Sequence, residues 1–263
     1  MSYRKLRIAA LLLAAAPAAY ADINYDFDEV TLPEKADKAI VGGALSAGRR
    51  YLGSDERRIG VVPLFEYRWS NGWFAGLGNG VGYNFSTERG LSYGLRMSVD
   101  FGRKESRSVY LTGMGDIKAK PEFGGFYNQE LGNGLSVHTS LRYGAVGTGL
   151  VVDGGVDWST PIAASTHLKL GATVTVVNTS YMQDYFGVTP EQSASSAQHY
   201  TAFKASGGIR DVRVGVGISH VFSQGLVGTA GLNVRSLQGD AAVSPLTREK
   251  TSPGATVSVI YAF

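Results

Sequence analysis

The chain has 263 residues, 44% of them hydrophobic and 18% charged, with 35 Gly and no Cys. Its apolar share excludes a disordered chain, its glycines lack the three-residue period of collagen, and without Cys it can form neither disulfides nor a cysteine-linked lipid anchor. Beyond the N-terminal leader no apolar run approaches the ~20 residues of a spanning helix.

Arg4, Lys5 and Arg7 precede the apolar run Ile8 to Ala16, and Ala19-Tyr20-Ala21 places small residues where a signal peptidase reads them. Residues 1–21 are therefore expected to be a cleaved signal peptide. They carry three basic residues and no acidic one, so removing them takes the formal charge from +3 to neutrality. A nucleic-acid partner is discarded on that ground. Asp22, Asp26, Asp28, Glu29, Glu34 and Asp37 follow without sustained periodicity. Residues 22–38 read as an exposed N-terminal arm, and residues 39–263 as the folded domain.

From there, apolar residues alternate with polar residues or Gly, segment after segment. The predicted strands are Ala39 to Gly48, Ile59 to Trp69, Trp73 to Phe85, Leu91 to Phe101, Pro121 to Leu131, Leu135 to Ala145, Leu150 to Trp158, His167 to Val176, Tyr200 to Ile209, Val212 to Phe222, Leu226 to Ser236 and Ala255 to Phe263. In the fourth, Leu91, Tyr93, Leu95, Met97, Val99 and Phe101 share one face and Ser92, Gly94, Arg96, Ser98 and Asp100 the other. Only a period of two separates them so cleanly. In the nine clearest segments the apolar stripe holds no Asp, Glu, Lys or Arg. The opposite stripe holds Glu66, Arg68, Arg96, Asp100, Arg142, Asp153, Asp157, Lys169, Arg213 and Arg235.

A soluble sandwich would turn the apolar stripe inward, whereas an outer-membrane barrel turns it outward to lipid. Most strand glycines fall on the polar stripe, where a narrow barrel interior demands small residues. Aromatics gather at strand ends (Tyr67, Trp69, Trp73, Tyr83, Phe85, Trp158, Tyr261), as membrane girdles do, and the chain ends on Phe263. Hydrocarbon also explains the charge-free stripe, because Lys or Arg there costs ~2–4 kcal/mol at the midplane. The reading is an all-β, transmembrane, antiparallel up-and-down β-barrel of twelve strands in a Gram-negative outer membrane, with membrane lipid as its surroundings.

Ser70-Asn71-Gly72, Gly132-Asn133-Gly134 and Ser223-Gln224-Gly225 are hairpin-turn sequences, and longer breaks lie at 102–120, 179–199 and 239–252. The second break contains Tyr181, Met182, Tyr185 and Phe186, then Thr189 and Pro190. Aromatics with Met are enriched at interface centres, so these six are the candidate partner-binding residues; the other reading is that they fold inward as a plug or cover the barrel rim. Counting the strands places this loop after the eighth, on the periplasmic side. The lumen stripe carries six basic and four acidic residues, which can neutralise one another by pairing. A wide open pore is therefore disfavoured.

Catalysis finds little purchase. His138 and Ser140 are two apart on the polar stripe, resembling the His-x-Ser pair of lipid A deacylase barrels, but the nearest upstream carboxylate, Glu130, lies beyond a turn. His167, His199 and His220 lack ligand spacing, so no metal site is expected. Gly76-Leu77-Gly78-Asn79-Gly80 lacks the Lys and the helix of a phosphate loop, and reads as steric relief in the lumen. No cofactor is expected.

Three segments resemble the MipA/OmpV family of outer-membrane proteins: Tyr51-Leu52-Gly53-Ser54-Asp55-Glu56-Arg57, the run from Tyr181 to Ser193, and Gly207-Gly208-Ile209-Arg210-Asp211-Val212. The matching positions are Tyr51, Gly53, Ser54, Asp55, Gly207, Gly208, Arg210 and Asp211. The resemblance implies a β-barrel and a non-enzymatic scaffold that links a murein hydrolase (a lytic transglycosylase) to a bifunctional murein synthase in peptidoglycan remodelling. A small-solute channel or an adhesin-type protein is the alternative within the family.

Overall fold

A computed structural model of the protein describes residues 37–144 and 149–263. The expected signal peptide, the arm as far as residue 36 and Ala145 lie outside these residues. The described residues form twelve strands: β1 Lys38–Arg49, β2 Arg57–Arg68, β3 Trp73–Gly76, β4 Gly80–Asn84, β5 Leu91–Asp100, β6 Lys120–Gly132, β7 Leu135–Gly144, β8 Gly149–Ala163, β9 Thr166–Val177, β10 Gly208–Ser223, β11 Leu226–Leu237 and β12 Thr251–Ala262. Each pairs antiparallel with its neighbours in sequence, and β12 closes on β1. No described helix is long and apolar enough to cross a membrane. The strands do the crossing.

The predicted stripes point as expected. Leu95, Met97 and Val99 on β5, Val214, Val216 and Ile218 on β10 and Val257 and Val259 on β12 are exposed. In a water-soluble protein such a surface would be a continuous apolar patch; in a bilayer it is the matched solvent. Val216 pairs with Leu170 on one side and Leu232 on the other, deep in this band. Val216→Arg is expected to cost ~2–4 kcal/mol in urea-dependent unfolding from lipid vesicles. An unchanged midpoint would mean that this face does not meet hydrocarbon.

Two expected strands need correction, and the two errors cancel in the count. Trp73 to Phe85 is a hairpin, with β3 and β4 paired from Trp73↔Tyr83 to Gly76↔Gly80. Its three-residue tip, Leu77-Gly78-Asn79, keeps odd-numbered residues on the lipid face in both arms, so the alternation runs through the turn undisturbed. Gly80 sits at φ 76°, and a Cβ there would meet the Met97 carbonyl oxygen at 2.0 Å. The Gly76 to Gly80 run is thus turn chemistry, not lumen relief. Tyr200 to Ile209 is irregular up to Gly207, and β10 begins at Gly208. Side chains replace the ladder there: Ala205 N donates to Gln183 Oε1 (2.8 Å), Ser206 N to Asp240 Oδ2 (2.7 Å) and Gly207 N to Thr179 Oγ1 (3.2 Å).

The correction reverses an orientation. The Tyr181 loop follows β9, not an eighth strand, and so lies at the end opposite both termini. Short turns such as Asn133-Gly134, Ala164-Ser165 and Gln224-Gly225 share the terminal end. Outer-membrane barrels carry short turns on the periplasmic side and long loops outside. The aromatic loop therefore belongs to the extracellular end. At the terminal end, Asp37 accepts from Ser70 N (2.9 Å) and from the Tyr67 hydroxyl (3.0 Å), and the backbone N–H of Ser70 holds its carboxyl below the usual range.

Candidate functional site: the capped lumen

Three short helices build a cap over the long-loop mouth: α1 Thr179–Phe186, α2 Pro190–Ser195 and α3 Gly239–Val243. The Asn178 side chain caps α1 by accepting from Tyr181 N at 3.1 Å. Thr189 and Gln192 form a reciprocal capping box at the start of α2, with Pro190 in its first turn. Thr189 and Pro190 thus start a helix. Tyr181, Met182, Tyr185 and Phe186 occupy one face of α1, and that face turns down into the barrel. There Tyr181, Met182 and Phe186 are buried with Val151, Val177, Ala205, Leu237 and Ala241, and Tyr185 packs at the edge. The aromatic face of α1 is thus turned inward onto the strand ends at this mouth.

Polar contacts fasten this cap to the wall. The Tyr185 hydroxyl donates to the Asp100 carboxylate (2.7 Å), Arg103 Nη1 donates to the Tyr185 carbonyl (2.6 Å), and the Ser244 hydroxyl donates to the Phe186 carbonyl (2.6 Å). Burial pushes the Tyr185 phenol far above its ordinary range, which keeps it a donor to Asp100. Arg210 Nη1 donates to the Tyr181 hydroxyl (2.8 Å) and Arg210 Nε to Asp211 (2.6 Å), while Arg235 Nε lies 3.3 Å from Asp211. Alternation would send one of two adjacent residues to lipid. A bulge between Ile209 and Asp211 lets both Arg210 and Asp211 be buried.

The segments that carry the family resemblance converge on this end. The Tyr51 hydroxyl donates to the Leu246 carbonyl (3.2 Å), and the Gly53 carbonyl accepts from Arg248 N (2.7 Å) and Glu249 N (3.0 Å). Ser54 is fully buried, its hydroxyl accepting from Glu56 N (3.1 Å), and the Asp55 carboxylate lies 3.6 Å from Arg248 Nε. A Cβ on Gly207 would strike the Asn178 carbonyl carbon at 2.7 Å, so α1 seats closely against the start of β10, where Gly208 follows. What looked like three separate motifs is one cap and its moorings.

Below the cap, charged side chains of the lumen stripe lie in contact with one another. Arg142 bridges Asp153 (2.6 Å) and lies 3.9 Å from Glu122; Arg68 meets Glu66 at 2.5 Å; Asp157 meets His138 Nδ1 at 2.9 Å. Arg96 donates to Asn79, which donates to Glu66. Lys169 and Arg213 are also engaged. Glu122 belongs to this belt, although sequence reasoning passed over it because β6 alternates weakly. Nearer the terminal end the lumen is apolar: Ile40, Ala44, Val62, Leu64, Val227, Ile260 and Ala262 pack together.

The His138 and Ser140 pair does not form, since Ser140 donates to Asp153. His138 instead faces Thr173 Oγ1 at 3.4 Å. In that row of hydroxyl, imidazole and carboxylate, Thr173 is laddered to strands on both sides, opposite Gly155 and Arg213. No group of three metal-ligating side chains occurs among the described residues.

Among solved structures, the chain is similar to one described as KdgM porin, with 11% identity, TM-score 0.47 and coverage of 85% of this chain and 99% of that one. It is also similar to the COG4313 outer membrane channel from Pseudomonas putida F1 (9%, 0.47, 92% and 100%) and to the CymD monoaromatic hydrocarbon channel (10%, 0.43, 95% and 97%). A search of curated proteins gives no match. The family described as MltA-interacting protein MipA matches residues 41–263. That span takes in every strand from within β1 to the last residue, and the chain belongs to this family of outer-membrane β-barrels.

Proposed function

We propose that the protein is a non-enzymatic outer-membrane scaffold that holds a lytic transglycosylase beside a bifunctional murein synthase. The family description, which names an interaction with MltA, is the observation that carries this reading. The interior supports it: charges paired across the lumen and a fastened cap suit a rigid platform better than an open conduit. Contact with murein enzymes falls to the terminal end, which bears the short turns and residues 22–36. The Tyr181 set on α1 holds the cap.

The test uses the full-length barrel in lipid nanodiscs and a purified lytic transglycosylase. Deleting residues 22–36 from the mature chain is expected to weaken binding at least tenfold, about 1.4 kcal/mol. Tyr185→Ala with Phe186→Ala should leave binding unchanged. No binding by the parent barrel would remove the reading, and loss only with the α1 variants would move the contact to the cap. Planar-bilayer recordings are expected to show no steady current steps; steps would favour the small-solute channel.

A further inference from the structure

The barrel wall is incomplete on one side. β2 pairs with β1 along its whole length, from Lys38↔Arg68 to Arg49↔Arg57. Its other edge meets β3 only from Glu66 to Arg68, extended by Leu77 N donating to the Phe65 carbonyl at 2.9 Å. β4 follows β5 only as far as Met97, although β5 continues to Asp100. Above the hairpin tip, β2 from Arg57 to Leu64 therefore has no strand on that edge among the described residues. At ~3.3 Å per residue the opening is about 25 Å long. The two most exposed apolar side chains of any described strand stand on it, Ile59 at 77% and Val61 at 70%.

This opening spans the half of the apolar band nearer the long loops. Trp69 and Trp73 mark the lower interface at the foot of β2 and β3, and Arg57 and Arg58 stand at the top. Alternate residues of a strand turn both backbone groups to the same edge. Because the Phe65 carbonyl faces β3, the N–H and C=O groups of Ile59 and Val61 face the opening. Hydrocarbon cannot satisfy them, and such backbone persists at membrane depth only where protein or water reaches it. Below the opening, Asn79 joins the buried Glu66 (2.7 Å) to Arg96 (3.3 Å).

The upper rim carries a second signal. Arg49 pairs with Glu249, Arg248 with Asp55, and Arg50 donates to the Arg107 carbonyl. Arg57 and Arg58 are exposed and adjacent, and neither side chain has a hydrogen-bond or ion-pair partner among the described residues. Alternation turns Arg57 to the outward face with Ile59 and Val61, and Arg58 to the lumen face with Gly60 and Val62. Arg57 is thus the one whose fork stands on the lipid side, where it suits a phosphate bound in bidentate fashion. Below Arg57, on the same face, lie Ile59 and Val61, and beside them is an edge with no strand among the described residues.

We propose that this opening docks one phosphorylated, acylated glycolipid of the outer leaflet, with its phosphate on Arg57, its sugar hydroxyls on the upper edge of β2 and an acyl chain over Ile59 and Val61. The site does not depend on the scaffold reading, since neither probe nor readout involves a murein enzyme.

Native mass spectrometry of the full-length barrel with purified lipid A is the test. The parent is expected to hold one lipid A, and Arg57→Gln to hold at least tenfold less while keeping its heat-modifiable mobility. Lys104→Gln/Lys118→Gln, at the same end but away from the opening, should bind as the parent does. Equal loss in the arginine and the lysine variants, retention by the arginine variant, or equal binding of phosphatidylglycerol or of inorganic phosphate alone would overturn the proposal. The chain has no Cys, so a spin label can be placed by Val61→Cys, with Val216→Cys as the lipid-facing reference. The Val61 label should be relaxed by a water-soluble nickel complex and shielded when lipid A is added. A Val61 label as dry as the Val216 label without lipid A would show that no wet opening exists.

Discussion

Asp211→Ala is expected to destabilise the folded barrel by about 3–5 kcal/mol, because it strands buried cations. Asp211 is 1% exposed, with the Arg210 and Arg235 guanidinium groups at 2.6 and 3.3 Å. Removing the carboxylate leaves two positive groups facing each other with no water to screen them. Arg210 also loses the partner that aims its Nη1 at the Tyr181 hydroxyl, so the cap should loosen with the wall. Asp211→Asn keeps the shape and one acceptor, and should cost less. Urea titration in lipid vesicles, followed by the heat-modifiable band, measures both. Equal midpoints for parent and Asp211→Ala would mean that the cluster contributes no net stability.

Phe186→Ala should produce a loss of similar size confined to the cap. The ring is 1% exposed in a cluster shared by α1, α3, β8, β9 and β11, and emptying such a site costs about 3–5 kcal/mol. The strand ladder does not pass through it, so the expected outcome is local opening, not global unfolding. Hydrogen exchange should quicken across residues 179–205, and a protease added from outside should cut there while the barrel stays folded. Tyr185→Phe should do less, costing the bond to Asp100 while keeping the ring. If exchange rises equally in β9 and β10, cap and wall form one cooperative unit.

Periodicity made the barrel legible because lipid imposes one rule on every strand: an outward residue carries no charge. That rule marks Leu95, Val216 and Val257 without any knowledge of their neighbours. The lumen charges were legible for the same reason, as the complement of the stripe. Their pairings were not, since Arg142 finds Asp153 and Glu122 through the register of β6, β7 and β8. The bulge that buries Arg210 beside Asp211 breaks alternation for one residue and leaves no compositional mark. Tyr200 to Ile209 alternates weakly, yet its backbone bonds go to Gln183, Asp240 and Thr179, acceptors that no local pattern announces. The hairpin at Leu77 was invisible for the opposite reason, since its alternation is too regular. Partner contact and inward packing were two readings of the α1 aromatics that composition could not separate, and their burial comes from the cluster beneath the helix.

A tip of three residues has an evolutionary corollary. Because it returns the chain in phase, a pair of strands can enter or leave a barrel at such a point without recolouring a single lipid-facing position. Circumference can then change by two staves at a time through one small turn. Sequences of neighbouring barrel sizes would share the same alternating signature and differ only in where a glycine with positive φ folds the ribbon back.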